Sequence, residues 1–209
     1  MTAQDALHER LSAGLIRLDL ALDAAQIRDL LAFLALLRKW GETYNLTAIR
    51  ESLAMVDRHL LDSLAVAPFL AGEAVLDVGT GAGLPGIPLA IALRQKRFVL
   101  LDSSAKKIRF VKQVILTLGL ENVQAEAMRV EEYVPAQGFD VVLARAFAGL
   151  DVMQALTRRL LRPGGRLLAL KGRLPVDEMA RLQQAEMLRV HPLSVPGLEA
   201  ERHLIEIGA

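Results

Sequence analysis

Cysteine is absent from the 209 residues, which excludes disulfides, thiol nucleophiles, iron–sulfur clusters and cysteine-type zinc sites together. Histidine is scarce: His8, His59, His191 and His203 stand far apart, without zinc-like spacing, so no resident metal is expected. Aromatic residues make up only 4% of the chain, which leaves a core of Leu, Ala, Val and Ile. Long apolar runs are missing as well. Leu30–Leu37 and Leu84–Leu93 are the longest, and both fall well short of the roughly 20 residues that cross a bilayer. The opening MTAQDALHER has neither a basic nor an apolar targeting region, so membrane insertion and export are not expected and a cytoplasmic location is. Disorder is excluded by an abundance, since 53% of the residues are hydrophobic and a disordered chain is poor in them.

An excess of one charge is also lacking: 25 Lys and Arg oppose 24 Asp and Glu, for a net +1. The distribution is uneven, however. Arg94, Lys96, Arg97, Lys106, Lys107, Arg109 and Lys112 share their stretch with a single acid, Asp102. Arg158, Arg159, Arg162, Arg166, Lys171 and Arg173 share theirs with none. Two basic blocks on a nearly neutral chain can present a cationic face to a polyanion, although solvated helix surfaces give the same pattern.

Residues 1–70 read as a helical segment packed on the core. Asp23 with Gln26 forms a reciprocal cap, and Ile27, Leu30, Leu31, Leu34 and Leu37 follow as a helical stripe that Gly41 should end. A second helix is expected from Ser52 to about Ala67, stopped by Pro68, with Arg58, Asp62 and Ser63 off its apolar face. From residue 71 to 209 the pattern becomes strand–helix alternation. Strands are expected at Ala74–Val78, Phe98–Leu101, Val123–Ala127, Val141–Ala144 and Leu167–Leu170. Helices are expected at Ile87–Arg94, Ser104–Leu118, Asp151–Leu160 and Val176–Ala185. Such alternation means right-handed crossovers and a mostly parallel sheet. The tail differs: Met187–Val190 and His203–Ile207 are joined by a Pro- and Gly-containing loop, which predicts an antiparallel hairpin at the sheet edge.

The most informative stretch is Asp77-Val-Gly79-Thr-Gly81-Ala-Gly83-Leu-Pro-Gly86, an apolar strand that ends in an acid and enters a glycine-rich turn. As Gly81-x-Gly83-x-x-Gly86 it matches a dinucleotide fingerprint. As Asp77-x-Gly79-x-Gly81-x-Gly83 it matches the first motif of S-adenosylmethionine (SAM)-dependent methyltransferases. The acid favours the second reading, because a carboxylate beside the turn repels pyrophosphate and suits the ammonium of a methionine moiety. Asp102 ends the next strand, where it can accept hydrogen bonds from ribose hydroxyls, a feature that both readings share. Leu161-Arg-Pro163-Gly164-Gly165 is expected as a tight turn before the fifth strand.

With these residues in place, the chain resembles the ribosomal RNA small-subunit methyltransferase G family, also known as glucose-inhibited division protein B. The carrying segments are Tyr44-Asn-Leu-Thr47, Arg58-His-Leu-Leu-Asp-Ser63, the run Asp77–Pro88, Leu100-Leu-Asp-Ser103, Arg129-Val-Glu-Glu132, Ala144-Arg-Ala-Phe-Ala148, Leu170-Lys-Gly172 and Glu201-Arg-His-Leu204. The resemblance implies a class I SAM-dependent methyltransferase, Rossmann-like, with a seven-stranded mostly parallel sheet and a helical N-terminal segment. It implies methyl transfer to N7 of a guanine in small-subunit (16S) ribosomal RNA, met within the small ribosomal subunit by a monomeric enzyme. SAM contacts carry over onto Gly79, Leu84, Val130, Glu131 and Arg145, beside Asp77, Gly81 and Asp102 from the motif. Arg145, Phe147, Lys171 and Arg202 are candidates for positioning the substrate, with Phe147 or Tyr44 as a surface on which the base stacks. Guanine N7 has an exposed lone pair, so no general base is required and no catalytic dyad is expected. Two rivals stay open. An NAD-dependent oxidoreductase would use the glycine loop, and a non-enzymatic RNA-binding assembly factor would keep SAM as a structural ligand.

Overall fold

The structure, a computed structural model, describes residues 2–44, 46–182 and 188–208. Asn45 and the segment 183–187, where the strand expected from Met187 begins, lie outside the described residues; the helix expected over 176–185 ends before that segment, at Ala180, with Arg181 and Leu182 already out of the helix. The chain opens with two helices, α1 (Ala3–Arg17) and α2 (Ala24–Tyr44). Each begins on a reciprocal cap that satisfies N–H donors the first turn leaves free. At α2, Gln26 N donates to Asp23 Oδ1 at 2.7 Å and Asp23 N to Gln26 Oε1 at 2.9 Å. The helix does not stop at Gly41. It continues for most of a turn to Tyr44, whose ring stacks on Trp40 with centroids 5.1 Å apart. That i, i+4 contact partly offsets the disadvantage of glycine inside a helix, on the order of 1 kcal/mol.

The third helix, α3, is built of an α turn Ser52–Met55, a π-helical segment Val56–Leu61 and a second α turn Asp62–Leu64. An ordinary helix to about Ala67 was expected. Instead the Asp62 N–H reaches back five residues to Asp57 O, and Ala67–Phe69 forms a separate 3-10 turn. Asp57 in the π segment takes a forked ion pair from Arg10 of α1, with Nε to Oδ1 at 2.8 Å and Nη2 to Oδ2 at 2.7 Å.

Seven strands follow: β1 (Ala74–Val78), β2 (Arg97–Asp102), β3 (Val123–Ala127), β4 (Phe139–Arg145), β5 (Leu161–Lys171), β6 (Leu188–Pro192) and β7 (His203–Gly208). They form one sheet in the order β3-β2-β1-β4-β5-β7-β6. The pairs among β1 to β5 are parallel, and β7 runs antiparallel to both β5 and β6. The expected hairpin therefore sits at the edge. The expected turn Leu161–Gly165 is absorbed into β5 as an irregularity: Leu161 pairs with Phe139, and the register then slips to Arg166 opposite Val141.

Between the strands run α4 (Gly86–Ala92), α5 (Ala105–Leu118), α6 (Leu150–Thr157) and α7 (Val176–Ala180). Ser104 caps α5, and Gly119 ends it in the left-handed region, a conformation that costs glycine nothing. Alternate strand residues point to opposite faces. Val75, Phe98, Leu100, Val141, Leu143 and Leu168 join α1 to α5 in one buried cluster, whereas Leu76, Val99, Val142, Leu167 and Ile205 pack under α6 in the other. Residues 1–70 thus share a core with α4 and α5, with Phe33 of α2 and Phe110 of α5 at 6.5 Å between ring centroids. Strand order reverses at β1, between β2 and β4, and open α/β sheets bind ligands at the carboxyl ends of their strands near such a reversal.

Candidate active site

The turn after β1 is organised by its acid. Asp77 is fully buried, and its Oδ2 accepts from Thr80 Oγ1 at 2.7 Å and from Gly86 N at 2.9 Å. Its Oδ1 is buried and has no hydrogen-bond partner among the described residues. Burial pushes the Asp77 carboxyl up to about 6, against the hydrogen bonds from Thr80 and Gly86, which pull it down. Asp102 at the end of β2 is tied to the same turn: its Oδ2 accepts from Gly81 N at 2.9 Å and its Oδ1 from Ser104 N at 2.8 Å.

A cavity of about 280 Å³ opens beside this turn, lined by Gly79, Asp102, Lys107, Val130, Glu131 and Phe147 among others. Gly79 has φ +69, and a Cβ there would lie 2.7 Å from Phe147 Cδ2; the backbone must stay bare for the cavity to keep its shape. Two acids flank the turn, one with an unpartnered oxygen, and Val130 offers an apolar wall. This donor set suits a ligand with a cationic end, hydroxyls and a flat apolar ring, as in SAM. It does not suit a pyrophosphate, because both carboxylates would repel it, and the dinucleotide reading loses its physical basis here.

A second cavity, of about 500 Å³, lies across β4 from the first, lined by Arg58, His59, Asp62, Arg145, Lys171 and Arg202 among others. Asp62, largely buried, holds two arginines: Arg202 Nε donates to Oδ1 at 2.7 Å, and Arg145 Nη1 to Oδ2 at 3.4 Å. Lys171 Nζ donates to Glu178 Oε2 at 2.8 Å and to Ala148 O at 3.1 Å, and the same Glu178 oxygen accepts from Leu150 N. Lysine and glutamate together therefore fix the loop between β4 and α6. His59 Nε2 pairs with Thr47 Oγ1 at 2.8 Å, and burial drives its pKa down to about 4, so its ring is neutral at physiological pH. With four cations against one acid, the cavity is net positive and suits an anionic substrate.

Both cavities are lined by Ala146. Its φ of 50° is unusual for a residue with a Cβ, and such backbone collects at functional sites. Placed between Arg145 and Phe147, Ala146 sends the arginine to one cavity and the phenyl ring to the other.

The structure brings Gly79, Asp102, Val130, Glu131 and Phe147 around the smaller cavity and Arg145, Lys171 and Arg202 around the larger. Asp77 and Gly81 lie in the turn beneath the smaller one. Leu84 is buried in the core and lines neither cavity. Phe147 covers Gly79 rather than facing the cationic cavity. Tyr44 stacks on Trp40 with Lys106 Nζ 4.9 Å from its ring centroid, and it too lines neither cavity. Sequence reasoning missed Ala146 and Glu178; no local pattern marks either, although the backbone at Ala146 does in three dimensions.

A family model described as rRNA small subunit methyltransferase G matches residues 26–205. A protein of that name from Methylococcus capsulatus is 53% identical over 197 residues, covering 94% of this chain and 96% of the relative. One from Shewanella amazonensis is 50% identical over 202 residues, covering 96% and 98%. Among solved structures, a SAM-dependent O-methyltransferase from Thermotoga maritima gives a TM-score of 0.56 at 17% identity, covering 71% of this chain and 65% of that one. A SAM dependent methyltransferase from Aquifex aeolicus gives 0.54 at 16% identity, covering 70% and 88%. At these identities the likeness concerns the fold alone, which is the sheet-and-helix arrangement described above.

Proposed function

The chain belongs to the rRNA small subunit methyltransferase G family, and from that premise we propose that it transfers the methyl group of SAM to N7 of a guanine in small-subunit 16S rRNA. The observation that carries this reading is the pair of cavities meeting at Ala146, one suited to SAM and the other to an anionic nucleotide. When bound, SAM supplies a methyl on a sulfonium, electrophilic enough for displacement by a ring nitrogen.

The rest of the work belongs to the chain. Gly79 leaves room for the ligand backbone. Asp102 accepts from ribose hydroxyls, Val130 and Glu131 flank the adenine, and the buried Asp77 carboxylate places its negative charge beneath the turn that receives the ammonium. Arg145 and Arg202, held by Asp62, bind the nucleotide. The base is brought to a near-attack distance of roughly 3–3.5 Å, where orientation does most of the catalysis. No proton has to leave N7, so a neutral His59 is no obstacle to the transfer. N7 lies in the deep, narrow groove of an RNA duplex, so the target guanine must be unpaired or splayed out.

We place the encounter in the cytoplasm, with a monomeric enzyme acting on rRNA within the small ribosomal subunit; the cationic cavity and the exposed Lys106, Lys107, Arg109 and Lys112 of α5 support contact with a phosphate backbone. No helix among the described residues is long and apolar enough to cross a membrane.

The test uses SAM with a radiolabelled methyl group and small subunits from cells lacking this gene, followed by nucleoside mass spectrometry. A stoichiometric signal of 7-methylguanosine, lost in Gly79→Arg, is expected. SAM binding without methyl on either the particle or its free RNA would instead make the chain a SAM-holding assembly factor.

A further inference from the structure

Arg159 lies in the 3-10 turn Arg158–Leu160 after α6, lines neither cavity, and reads from sequence as one more cation in a basic block. Its guanidinium nevertheless spans three backbone carbonyls of the turn that follows β3. Nη2 donates to Val130 O at 2.5 Å and to Glu131 O at 3.0 Å, and Nη1 donates to Tyr133 O at 2.8 Å. Val130 and Glu131, with Met128 and Arg129 before them, are the residues of that turn that wall the smaller cavity.

The turn has few other ties. Within it, Glu132 N reaches Arg129 O at 3.1 Å and Tyr133 N reaches Val130 O at 3.3 Å, and Met128 N anchors its start on Asp102 O. A guanidinium has five N–H donors in a rigid fork and can hold several acceptors in one plane, which a lysine ammonium cannot do with the same geometry. The peptide unit is planar and trans, so the N–H of Glu131 points opposite to the C=O of Val130. With that carbonyl drawn to Arg159, the Glu131 N–H faces away from the arginine. Among the described residues it has no protein acceptor.

We propose that Arg159 is the positioning residue of the adenine subsite. By gathering three carbonyls on one side, it holds Val130 as the apolar wall and leaves the Glu131 N–H as a donor for a ring nitrogen. This inference rests on the reading of the smaller cavity as the SAM site.

The test measures binding by calorimetry to Arg159→Ala, Arg159→Lys and the wild type, with SAM and with 5′-methylthioadenosine, which lacks the amino-acid end. Arg158→Ala serves as the control for loss of a neighbouring charge. Arg159→Ala should weaken SAM at least about tenfold, equivalent to about 1.4 kcal/mol, and weaken methylthioadenosine by the same factor, because the loss is local to the adenine. KM for SAM should rise in step while kcat at saturating SAM stays within about twofold, as for a lost uniform binding contribution. Arg159→Lys should recover only part of the affinity, Arg158→Ala should match the wild type, and Tm should stay within about 2 °C. Unchanged affinity in Arg159→Ala would overturn the proposal, as would a fall in affinity matched by a collapse of both Tm and saturated kcat. A wild-type protein that binds neither ligand would overturn the SAM reading itself, and this inference with it.

Discussion

At Asp77, stability and ligand binding pull in opposite directions, and Asp77→Asn separates them. The carboxylate is fully buried, with one oxygen engaged by Thr80 and Gly86 and the other bare. Its pKa of about 6, against 3.8 for an ordinary Asp, means that its charge costs the fold on the order of 3 kcal/mol at neutral pH. The sign follows from the direction. A folded pKa above the unfolded one stabilises fully below about 3.8, and that contribution is lost as pH rises through about 6. Asparagine keeps an oxygen for Thr80 and Gly86 and removes the charge. The ligand-free variant should therefore be more stable than the wild type at pH 7.5, by on the order of 1–3 kcal/mol, or about 2–10 °C in Tm. SAM affinity should move the other way. On the proposed role, losing the buried charge beneath the ammonium removes up to roughly 1.5–3 kcal/mol, the range of a hydrogen bond to a charged group, a roughly 10- to 150-fold rise in Kd. Thermal melts of both ligand-free proteins between pH 4 and 8 provide the check, with calorimetry for SAM. His59, held by burial at about 4 instead of 6.5, costs both proteins stability as pH falls through that window, so the informative quantity is the difference between them at each pH. The difference should be largest above pH 7 and should close as pH falls through about 6 toward 4. A ligand-free Asn variant less stable than the wild type at pH 7.5, or a gap that stays constant down to pH 4, would refute the reasoning.

Gly79→Ala places a Cβ at φ +69 and 2.7 Å from Phe147 Cδ2; the chain should still fold, with a loss of about 1–2 kcal/mol in a urea melt, while SAM affinity falls at least about tenfold as Phe147 is displaced. Asp62→Asn leaves the Arg145 and Arg202 guanidiniums facing each other without their anion. Methyl transfer to small subunits should fall at least about tenfold, with Asp62→Glu recovering part of it; unimpaired turnover in Asp62→Asn would show that the arginine pair needs no anchor. Raising salt from about 50 to 200 mM should raise KM for the particle at least about tenfold and leave SAM affinity within about twofold. A salt-indifferent KM would argue against phosphate contacts in the cationic cavity.

What could be read from the sequence is what local chemistry encodes. β1 and β3 fall at their expected bounds, because short runs set off by neighbouring glycines, Gly79 after β1 and Gly119 ahead of β3, need no distant partner to be recognised. Ser104 and Gly119 frame α5 for the same reason. Where a distant contact decides, the reading fails. Gly41 looks like a stop until Tyr44 stacks on Trp40 beyond it. Met55, Val56, Leu60 and Leu64 fit an α-helix as well as they fit a π segment, so the i+5 bond that re-aims Arg58, His59 and Asp62 leaves no trace in the hydrophobic pattern.

The candidate site divides along the same line. The turn beside the smaller cavity is carried by one continuous motif and the next strand end, so the nearness of Asp77, Gly79, Gly81 and Asp102 could be read from the sequence. The larger cavity is assembled by Asp62 reaching Arg145 over 83 residues and Arg202 over 140, through crossovers that bring strand ends together without announcing which side chains will pair. Charge alone told still less. Lys171 looks free to take a phosphate but is engaged by Glu178 and Ala148. Arg159 looks like a surface cation but lies over three carbonyls. In a basic block the sequence states how much charge is present. Only the fold decides which cations are left to meet RNA and which are already holding the enzyme in shape.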